Sequence, residues 1–220
     1  MDVRTILSRI DHTMLNPTAA LMDIERHCNE ALQYKTAAAY IPPCYVLRVK
    51  QVFGDALNVG TTIGFPLGFV PSGIKVEETM LAMSDGADEI DMVINICDVK
   101  NGAYDNVMAE IKAVRGCSHG KILKVIVETC YLTEQEKIEL CRIVTDTGVD
   151  YIKTSTGLGP AGAALEDIEL FRKHIGPDVK IKAAGGIRTL SDIEAYINAG
   201  CDRIGSSTAV ALFKELGAIS

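Results

Sequence analysis

The sequence is poor in the features that would place it in a membrane or among exported proteins. No apolar run reaches the roughly 20 residues that a membrane-spanning helix needs. The N-terminal stretch MDVRTILSRIDHT contains no long apolar segment, so we expect no signal peptide. We therefore expect a cytoplasmic protein with no membrane partner.

Grouped cysteines and histidines are also missing. The seven cysteines are odd in number, widely spaced and never arranged as C-x-x-C, which excludes a disulfide framework and a zinc knuckle. Such a pattern is typical of a reducing compartment. The histidines form neither H-x-H nor H-x-x-x-H, so the grouped ligands of a zinc site are absent. We expect no metal ion and no other cofactor; the histidines are His12, His27, His119 and His174.

Positive charge is scarce as well. Asp and Glu number 29 against 22 Lys and Arg, which gives a formal net charge of −7. A protein that binds a nucleic-acid backbone needs a basic face, so nucleic acid is not the expected partner. A small phosphorylated ligand remains compatible with this charge, because a few local donors are enough to hold one phosphate.

What the sequence does contain is a repeated alternation of short apolar runs and helix-like segments along 220 residues. Representative helix-like segments are Gly73–Ser84, Tyr104–Cys117, Thr133–Thr147, Ser191–Ala199 and Ala209–Leu216. The runs that we interpret as strands lie near Ile6–His12, Ala37–Ile41, Leu57–Gly64, Glu89–Asn95, Ile122–Glu128, Tyr151–Thr154, Val179–Ala183 and Arg203–Gly205.

This alternation predicts the fold. Strands rich in Val and Ile that alternate with helices favour parallel pairing with the helices outside. Eight such units in this length predict an α/β fold, a (β/α)8 TIM barrel in which residues 1–220 form a single domain. A doubly wound open sheet is the alternative, although the G-x-G-x-x-G fingerprint that often marks it is absent.

Three segments share one pattern: GADEID at 86–91, GVDYIK at 148–153 and GCDRIG at 200–205. In each, a glycine suited to a left-handed helix C-terminus precedes an aspartate and the start of a strand. Equivalent units would place their sixth residues at matching heights. Because barrel active sites form at the C-terminal ends of strands, we expect these three residues to face one mouth: Asp91, Lys153 and Gly205.

The sharpest candidate is Lys153, which ends an apolar strand in YIKTSTG at 151–157. Burial of a lysine disfavours its charged form and lowers its pKa. A neutral amine attacks carbonyl compounds and forms a Schiff base. The plainer interpretation is a lysine that reaches solvent from a strand end.

Two further residues strengthen the functional interpretation. Lys182, in VKIKAAGG, ends another predicted strand, and a second cation nearby would lower the pKa of Lys153 further. Asp91 stands among apolar residues in DEIDMVIN, where a buried carboxylate needs cationic partners. We expect Asp91 to act as a general base or proton relay. A buried ion pair with no chemistry is the alternative.

The first strand ends in the polar sequence DHT, which interrupts an apolar run. Alternation along a strand predicts that Asp11 and Thr13 enter the mouth, whereas His12 points the other way and has a structural role. An anion site is expected where the seventh and eighth strands end, in AAGG and GSST, since barrels commonly bind phosphate there. The candidates are Gly185, Gly186, Ser206, Ser207 and Thr208, with Gly157 as one further amide, together with the N-terminus of the helix at Ala209–Leu216.

Several motifs resemble those of the deoxyribose-phosphate aldolase family, in the same order and over nearly the whole chain. They are IDHT at 10–13, GFPLG at 64–68, DGADEIDMVIN at 85–95, KVIVETC at 124–130, YIKTSTG at 151–157, KAAGGIRT at 182–189 and DRIGSS at 202–207.

This resemblance implies a class I aldolase that reversibly cleaves 2-deoxy-D-ribose 5-phosphate to D-glyceraldehyde 3-phosphate and acetaldehyde. It assigns the Schiff base to Lys153, the second active-site lysine to Lys182 and the proton relay to Asp91. The remaining family positions fall on Asp11 and Thr13 in the first strand, and on Gly157, Gly185, Gly186, Ser207 and Thr208 for the phosphate.

The sequence departs from the family pattern at three positions. Tyr40 stands where members often carry a cysteine, and we expect it either to narrow the aldehyde pocket or to replace a reactive thiol. Pro42 follows in a motif that usually varies less, and Leu158 occupies a position that is often aromatic or basic. None of these departures removes a catalytic group, and we expect them to bear on substrate preference, acceptor tolerance and rate.

Two other functions remain open from the sequence. One is a related imine-forming barrel aldolase that acts on another phosphorylated sugar. The other is a non-catalytic barrel that binds a phosphorylated ligand, with Lys153 as an ion-pair partner. A homodimer is the oligomeric state that the family resemblance suggests.

Overall fold

The computed structural model describes residues 1–219 and contains a closed barrel of eight parallel strands. Neighbouring strands pair in chain order, and the first strand closes the barrel against the last through Ile10 opposite Ile204. The strands are β1 Ile10–Thr13, β2 Ala38–Tyr40, β3 Val59–Ile63, β4 Glu89–Val93, β5 Ile122–Ile126, β6 Tyr151–Lys153, β7 Lys180–Ala184 and β8 Arg203–Ser206.

Helices connect the strands and confirm the prediction of a (β/α)8 barrel over an open sheet. A capping box begins the helix at Glu134–Asp146, with the Glu136 amide donating to Thr133 Oγ1 and the Thr133 amide to Glu136 Oε2. The helices are α1 Val3–Leu7, α2 Leu21–Tyr34, α3 Val46–Phe53, α4 Ser72–Ser84, α5 Ile96–Lys100, α6 Tyr104–Cys117, α7 Glu134–Asp146, α8 Leu165–His174, α9 Leu190–Ala199 and α10 Ala209–Glu215.

The first predicted strand, Ile6–His12, is wrong in its first half. Residues 3–7 form the short helix α1, whose first turn is capped by the Asp2 carboxylate accepting from the Thr5 amide. Ile6 and Leu7 are both buried, and α1 packs beside α10. Consecutive buried apolar residues suit a short buried helix as well as a strand, so periodicity alone does not separate them.

The aspartates of the repeated segments hold the barrel together at the end where the strands begin. Each one bonds the preceding parallel strand twice, once through its backbone amide and once through its carboxylate. Asp88 bonds Val59, Asp150 bonds Leu123, and Asp202 bonds Ile181, with every carboxylate-to-amide distance between 2.8 and 3.0 Å. The repeated segments therefore set the register between neighbouring strands.

Alternation along the strands divides the barrel into two environments. Outward-facing residues such as Ile90, Met92, Val125 and Ile152 are fully buried and form the apolar core between the sheet and the helices. The alternate residues face the barrel interior, where many are charged. No helix within residues 1–219 is long and apolar enough to span a membrane.

Candidate active site

The barrel interior contains a cluster of ion-paired side chains, because six strands each direct at least one charged residue inward. Three carboxylates face four cations. The cluster consists of Asp11 from β1, Glu89 and Asp91 from β4, Lys124 from β5, Lys153 from β6, Lys182 from β7 and Arg203 from β8.

Asp91 is the centre of this cluster. Its Oδ2 atom lies 2.7 Å from Lys153 Nζ and 2.7 Å from Lys182 Nζ. Its Oδ1 atom accepts a 2.7 Å hydrogen bond from the Tyr40 hydroxyl and lies 3.5 Å from Lys124 Nζ. Burial alone would raise the pKa of Asp91, but the three lysines hold it well below its usual range. Asp91 is therefore a carboxylate that connects two lysines.

Asp11 binds the opposite side of Lys182. Its Oδ2 atom lies 2.6 Å from Lys182 Nζ, and its Oδ1 atom accepts a 2.6 Å bond from Arg203. Burial opposes ionisation of Asp11, yet the cations of Lys124, Lys182 and Arg203 lower its pKa to about 2. Lys182 is thus held between two carboxylates.

Lys153 differs from the other cations in the cluster. Burial lowers its pKa to about 8, and nearby Lys182 adds to this effect, while Asp91 opposes it. When Lys153 is neutral, three carboxylates face three cations, so the formal charges of the cluster sum to zero. This site therefore favours one free amine at the C-terminal end of β6.

A deeper part of the cluster was missed by our sequence reasoning. Lys124 is completely buried and contacts the Tyr40 hydroxyl and Glu89 Oε2, so its pKa rises despite desolvation, because of the carboxylates of Asp11, Asp91 and Glu89. Arg203 lies 3.4 Å from Glu89. The motif KVIVETC could have predicted the inward position of Lys124. This lysine lies two residues before inward-facing Ile126, and it pairs in register with Asp91 on β4.

A cavity of about 640 Å³ opens above the cluster at the C-terminal ends of the strands. Lys153 and the ring of Tyr40 contribute to its lining near the cluster, and Thr13 lines it from β1. Loops after β6, β7 and β8 form another part of the wall. All six anion-site candidates line the cavity; Ser206 ends β8, and the other five lie in these loops: Gly157, Gly185, Gly186, Ser207 and Thr208.

Two of these loops touch backbone to backbone. A Cβ atom on Gly185 would lie 3.1 Å from the Gly157 Cα atom and 3.0 Å from the Gly162 Cα atom. Gly185 also has a φ of 85°, which a residue with a side chain adopts only under strain. The close contact between the loops after β6 and β7 therefore requires glycine at this position.

The turn into α10 differs from our expectation of an anion site at a helix N-terminus. The amides of Thr208 and Ala209 donate to Ser206 Oγ, at 3.2 and 3.1 Å, so these donors are used within the turn. The side chains of Ser207 and Thr208 remain part of the cavity wall. Sequence reasoning also missed Arg188, which follows the two glycines and lines the same wall.

A buried carboxylate supports the loop after β6. Glu128 is 2% exposed, and its carboxylate accepts bonds from the amide and the hydroxyl of Thr156, the residue before Gly157. Its backbone is left-handed, with a φ of 56°, which is uncommon for a residue other than glycine. Glu128 thereby connects the end of β5 to the loop that carries Gly157.

His12 faces away from the cavity, as alternation predicts. Its Nε2 atom lies 3.3 Å from Glu30, and its ring stacks on the ring of His27 at 3.8 Å between centroids. Tyr40, by contrast, faces the interior, where its ring lines the cavity and its hydroxyl enters the ion-paired cluster. Leu158 is 67% exposed at the cavity rim.

Comparisons with known proteins match this architecture and these motifs. The profile of the DeoC/LacD family of aldolases matches residues 4–213. A deoxyribose-phosphate aldolase from Clostridium botulinum (strain Alaska E43 / Type E3) is 56% identical over 214 residues, which are 97% of each chain. A putative deoxyribose-phosphate aldolase from Coccidioides immitis is 37% identical, with a TM-score of 0.94 over 99% of this chain and 87% of that one. A tetrameric deoxyribose phosphate aldolase from Aeropyrum pernix is 28% identical, with a TM-score of 0.91 over 100% and 94% of the two chains.

Proposed function

The chain belongs to the DeoC/LacD family of aldolases, and from this premise we propose that it is a deoxyribose-phosphate aldolase that works through a Schiff base on Lys153. In this reaction 2-deoxy-D-ribose 5-phosphate is reversibly cleaved to D-glyceraldehyde 3-phosphate and acetaldehyde. The observation that carries the proposal is the buried amine of Lys153, which has a pKa of about 8 and lines the cavity beside Asp91. An amine that is partly neutral near pH 8 is a nucleophile towards an aldehyde.

The first half of the reaction forms the iminium ion. Neutral Lys153 attacks the C1 aldehyde of the open-chain sugar, and loss of water leaves an iminium carbon that accepts electrons.

Asp91 and Lys182, which lie 2.7 Å apart, relay the proton that leaves the C3 hydroxyl, directly or through one water. Asp11 holds Lys182 from its other side and so keeps the relay in place.

The second half breaks the carbon–carbon bond. As the C3 hydroxyl loses its proton, the C2–C3 bond breaks and its electron pair moves into the iminium group to give an enamine. D-glyceraldehyde 3-phosphate leaves with its aldehyde at the former C3. Protonation of the enamine at C2 and hydrolysis of the resulting imine release acetaldehyde and restore the amine of Lys153.

We propose that the phosphate binds at the other end of the cavity. Its ligands are the backbone amides of Gly157, Gly185 and Gly186 and the hydroxyls of Ser207 and Thr208, all of which come from the cavity wall. Two cationic residues line the described cavity, Lys153 and Arg188, and no acidic residue does, which suits an anionic substrate. Binding energy from the phosphate then orients C1 towards Lys153, while Thr13 contributes to the wall from β1.

Trapping of the imine tests this proposal. The protein is incubated with 2-deoxy-D-ribose 5-phosphate or acetaldehyde, reduced with borohydride and digested for peptide mass spectrometry. We expect a reduced adduct on Lys153 with both compounds, release of glyceraldehyde phosphate from the sugar, and neither result in Lys153→Ala. An adduct only with a different phosphorylated sugar would indicate the related aldolase. Ligand binding without any adduct, in folded protein, would indicate the binding-only barrel.

We also propose that the chain works in the cytoplasm as a homodimer, with residues 1–220 as one domain. The seven unpaired cysteines suit a reducing compartment. Exposed apolar side chains on α4, including Ile74, Met80 and Leu81, support self-association, and the relative from Aeropyrum pernix is described as a tetramer. Sedimentation velocity of the wild type and of Leu81→Glu tests the dimer; a monomer at micromolar concentration in both would exclude it.

A further inference from the structure

Tyr40 contributes a hydroxyl group to the ion-paired cluster that the proposed mechanism does not use. The side chain is 1% exposed, and its Oη atom lies 2.7 Å from Asp91 Oδ1 and 3.1 Å from Glu89 Oε2. Lys124 donates to the same oxygen. The phenol therefore accepts one bond and has a single proton to share between two carboxylates, of which Asp91 is the nearer.

The two oxygens of Asp91 are divided between different partners. Oδ2 contacts both Lys153 and Lys182 at 2.7 Å, whereas Oδ1 contacts the Tyr40 hydroxyl. The face of the Tyr40 ring lies 3.8 Å from Lys182 Nζ, close enough for a cation–π interaction. Tyr40 thus contacts both members of the proposed proton relay.

The sequence makes room for this ring at one position of the neighbouring strand. Gly60 on β3 lies opposite Tyr40, and a Cβ atom at residue 60 would lie 2.4 Å from the ring carbon that carries the hydroxyl. Real Cβ atoms do not approach so closely, so any larger residue at position 60 would displace the ring. The observed position of the Tyr40 ring therefore requires glycine at position 60.

We propose that Tyr40 is a positioning residue, which holds Asp91 Oδ1 so that Oδ2 is presented to Lys153 and Lys182. This inference rests on the proposed aldolase function and extends it to a residue that the sequence did not predict to take part in the proton relay. The hydroxyl proton also reduces the negative charge that Asp91 presents to Lys153. Tyr40 thereby favours the neutral amine that begins the reaction.

Burial and the carboxylates of Asp91, Glu89 and Asp11 raise the pKa of Tyr40 well above its usual value, so the phenol keeps its proton. A pH effect must be judged against every titratable group in the barrel interior. On β3 the inward position opposite Asp91 is Thr62, which does not titrate. The charged or titratable groups around Asp91 and Tyr40 are Asp11, Glu89, Lys124, Tyr151, Lys153, Lys182 and Arg203.

Removal of the hydroxyl gives the first test. In Tyr40→Phe the ring remains over Gly60 and under Lys182, but Asp91 loses a hydrogen-bond donor and presents more negative charge to Lys153. We expect the pKa of Lys153 to rise, so that the acid limb of kcat/KM moves to higher pH by about half a unit, or about threefold in activity at pH 7. Rates are expressed per site trapped by borohydride, so partly folded protein does not affect the comparison.

Tyr151→Phe is the matched control. It removes a second phenol from the same barrel, and the Tyr151 hydroxyl has no hydrogen-bond partner among residues 1–219, although its ring lies 5.4 Å from Lys124 Nζ. We expect its acid limb to coincide with that of the wild type. A shift of equal size in both variants would show that loss of any interior phenol is enough and would overturn the proposal.

A second variant keeps the shape of the side chain in case Tyr40→Phe does not fold. Incorporation of 3-fluorotyrosine at position 40 makes the phenol a stronger donor to Asp91, and we expect the acid limb to move to lower pH. Opposite shifts in the two variants support the positioning role. An unshifted limb in variants that still form the Lys153 imine would overturn this role and leave the aldolase function intact, whereas failure of the wild type to form an imine would overturn both.

Discussion

At the scale of single residues, the barrel sets the pH at which Lys153, the proposed Schiff-base residue, becomes neutral. Its pKa is lowered to about 8, first by burial and then by Lys182. We expect the rate of imine formation to rise with pH through a midpoint near pH 8 and to level off above about pH 9, with about a tenth of the sites neutral at pH 7. Stopped-flow measurement of imine formation with acetaldehyde from pH 6 to 9.5 gives the midpoint. A midpoint near that of an ordinary lysine would contradict this account.

The same burial predicts that Lys153 lowers the free energy of unfolding of the protein. Its folded-state pKa lies below the usual value of 10.5, so folding is penalised below about pH 8, and the penalty disappears above about pH 10. We expect Lys153→Met to abolish cleavage yet raise the free energy of unfolding at pH 7 by about 1–3 kcal/mol. Urea denaturation and a coupled assay for glyceraldehyde phosphate measure the two effects.

Lys182→Met is the contrasting variant. Lys182 lies between Asp11 and Asp91, so its loss leaves two buried carboxylates short of a cation. We expect this variant to lose about 3–5 kcal/mol of stability as well as its activity. Equal stability changes in the two lysine variants would mean that the cluster does not distinguish between its cations.

At the scale of elements, the contact between the loops after β6 and β7 gives a prediction about the phosphate. Gly185→Ala and Gly186→Ala place a methyl group at similar positive φ angles, 85° and 78°, so their backbone strain is comparable. Only the Cβ atom at 185 meets another backbone; none lies within 4 Å of the Cβ atom at 186. We expect Gly185→Ala to raise KM for the phosphorylated sugar at least tenfold more than Gly186→Ala.

A comparison of the phosphorylated sugar with acetaldehyde shows whether the substitution at 185 disturbs the phosphate end of the cavity or the amine of Lys153. Because the methyl group at 185 pushes the Gly157 loop and not Lys153, we expect the rate of imine formation with acetaldehyde, which has no phosphate, to change less than threefold in both variants. A large loss with acetaldehyde in Gly185→Ala would mean that the displaced loop reaches the amine, and that the two ends of the cavity are not independent.

The elements also differ in how far the sequence predicts them. The Thr133 capping box is a local signal, because residues close in sequence satisfy it. The glycine and aspartate before β4, β6 and β8 marked where these strands begin, although each aspartate bonds a strand more than 20 residues earlier in the chain. The helix at Val3–Leu7 was missed because two consecutive buried apolar residues fit both a helix and a strand. The partners of Lys124 lie 35 and 84 residues away in sequence, and only closure of the barrel brings them together.

At the scale of the whole molecule, closure of the barrel is what makes the charged interior possible. The eight-unit count and the parallel pairing followed from alternation, and the three repeated segments predicted which strand ends would meet. The proximity of Asp91 and Lys153 could be expected from that symmetry, and that of Lys182 from its place at the end of another predicted strand. The positions of Tyr40 and Arg203 within the cluster could not, since they depend on how far each strand is staggered around the closed sheet.

The ion-paired cluster also links the stability of the barrel to pH. Asp11 lies at the seam between β1 and β8, where burial alone would raise its pKa but the cations of Lys124, Lys182 and Arg203 lower it to about 2. A carboxyl group whose folded pKa is lowered stabilises the protein above its unfolded pKa, near 4, and loses that contribution as pH falls towards the folded value. Asp11→Asn has no such titration. We expect its deficit in free energy of unfolding, about 2–3 kcal/mol at pH 6, to shrink steadily between pH 4.5 and pH 2.5. Urea denaturation of both proteins across this range measures the difference; a deficit that is constant with pH would show that Asp11 does not couple the closure of the barrel to its ionisation.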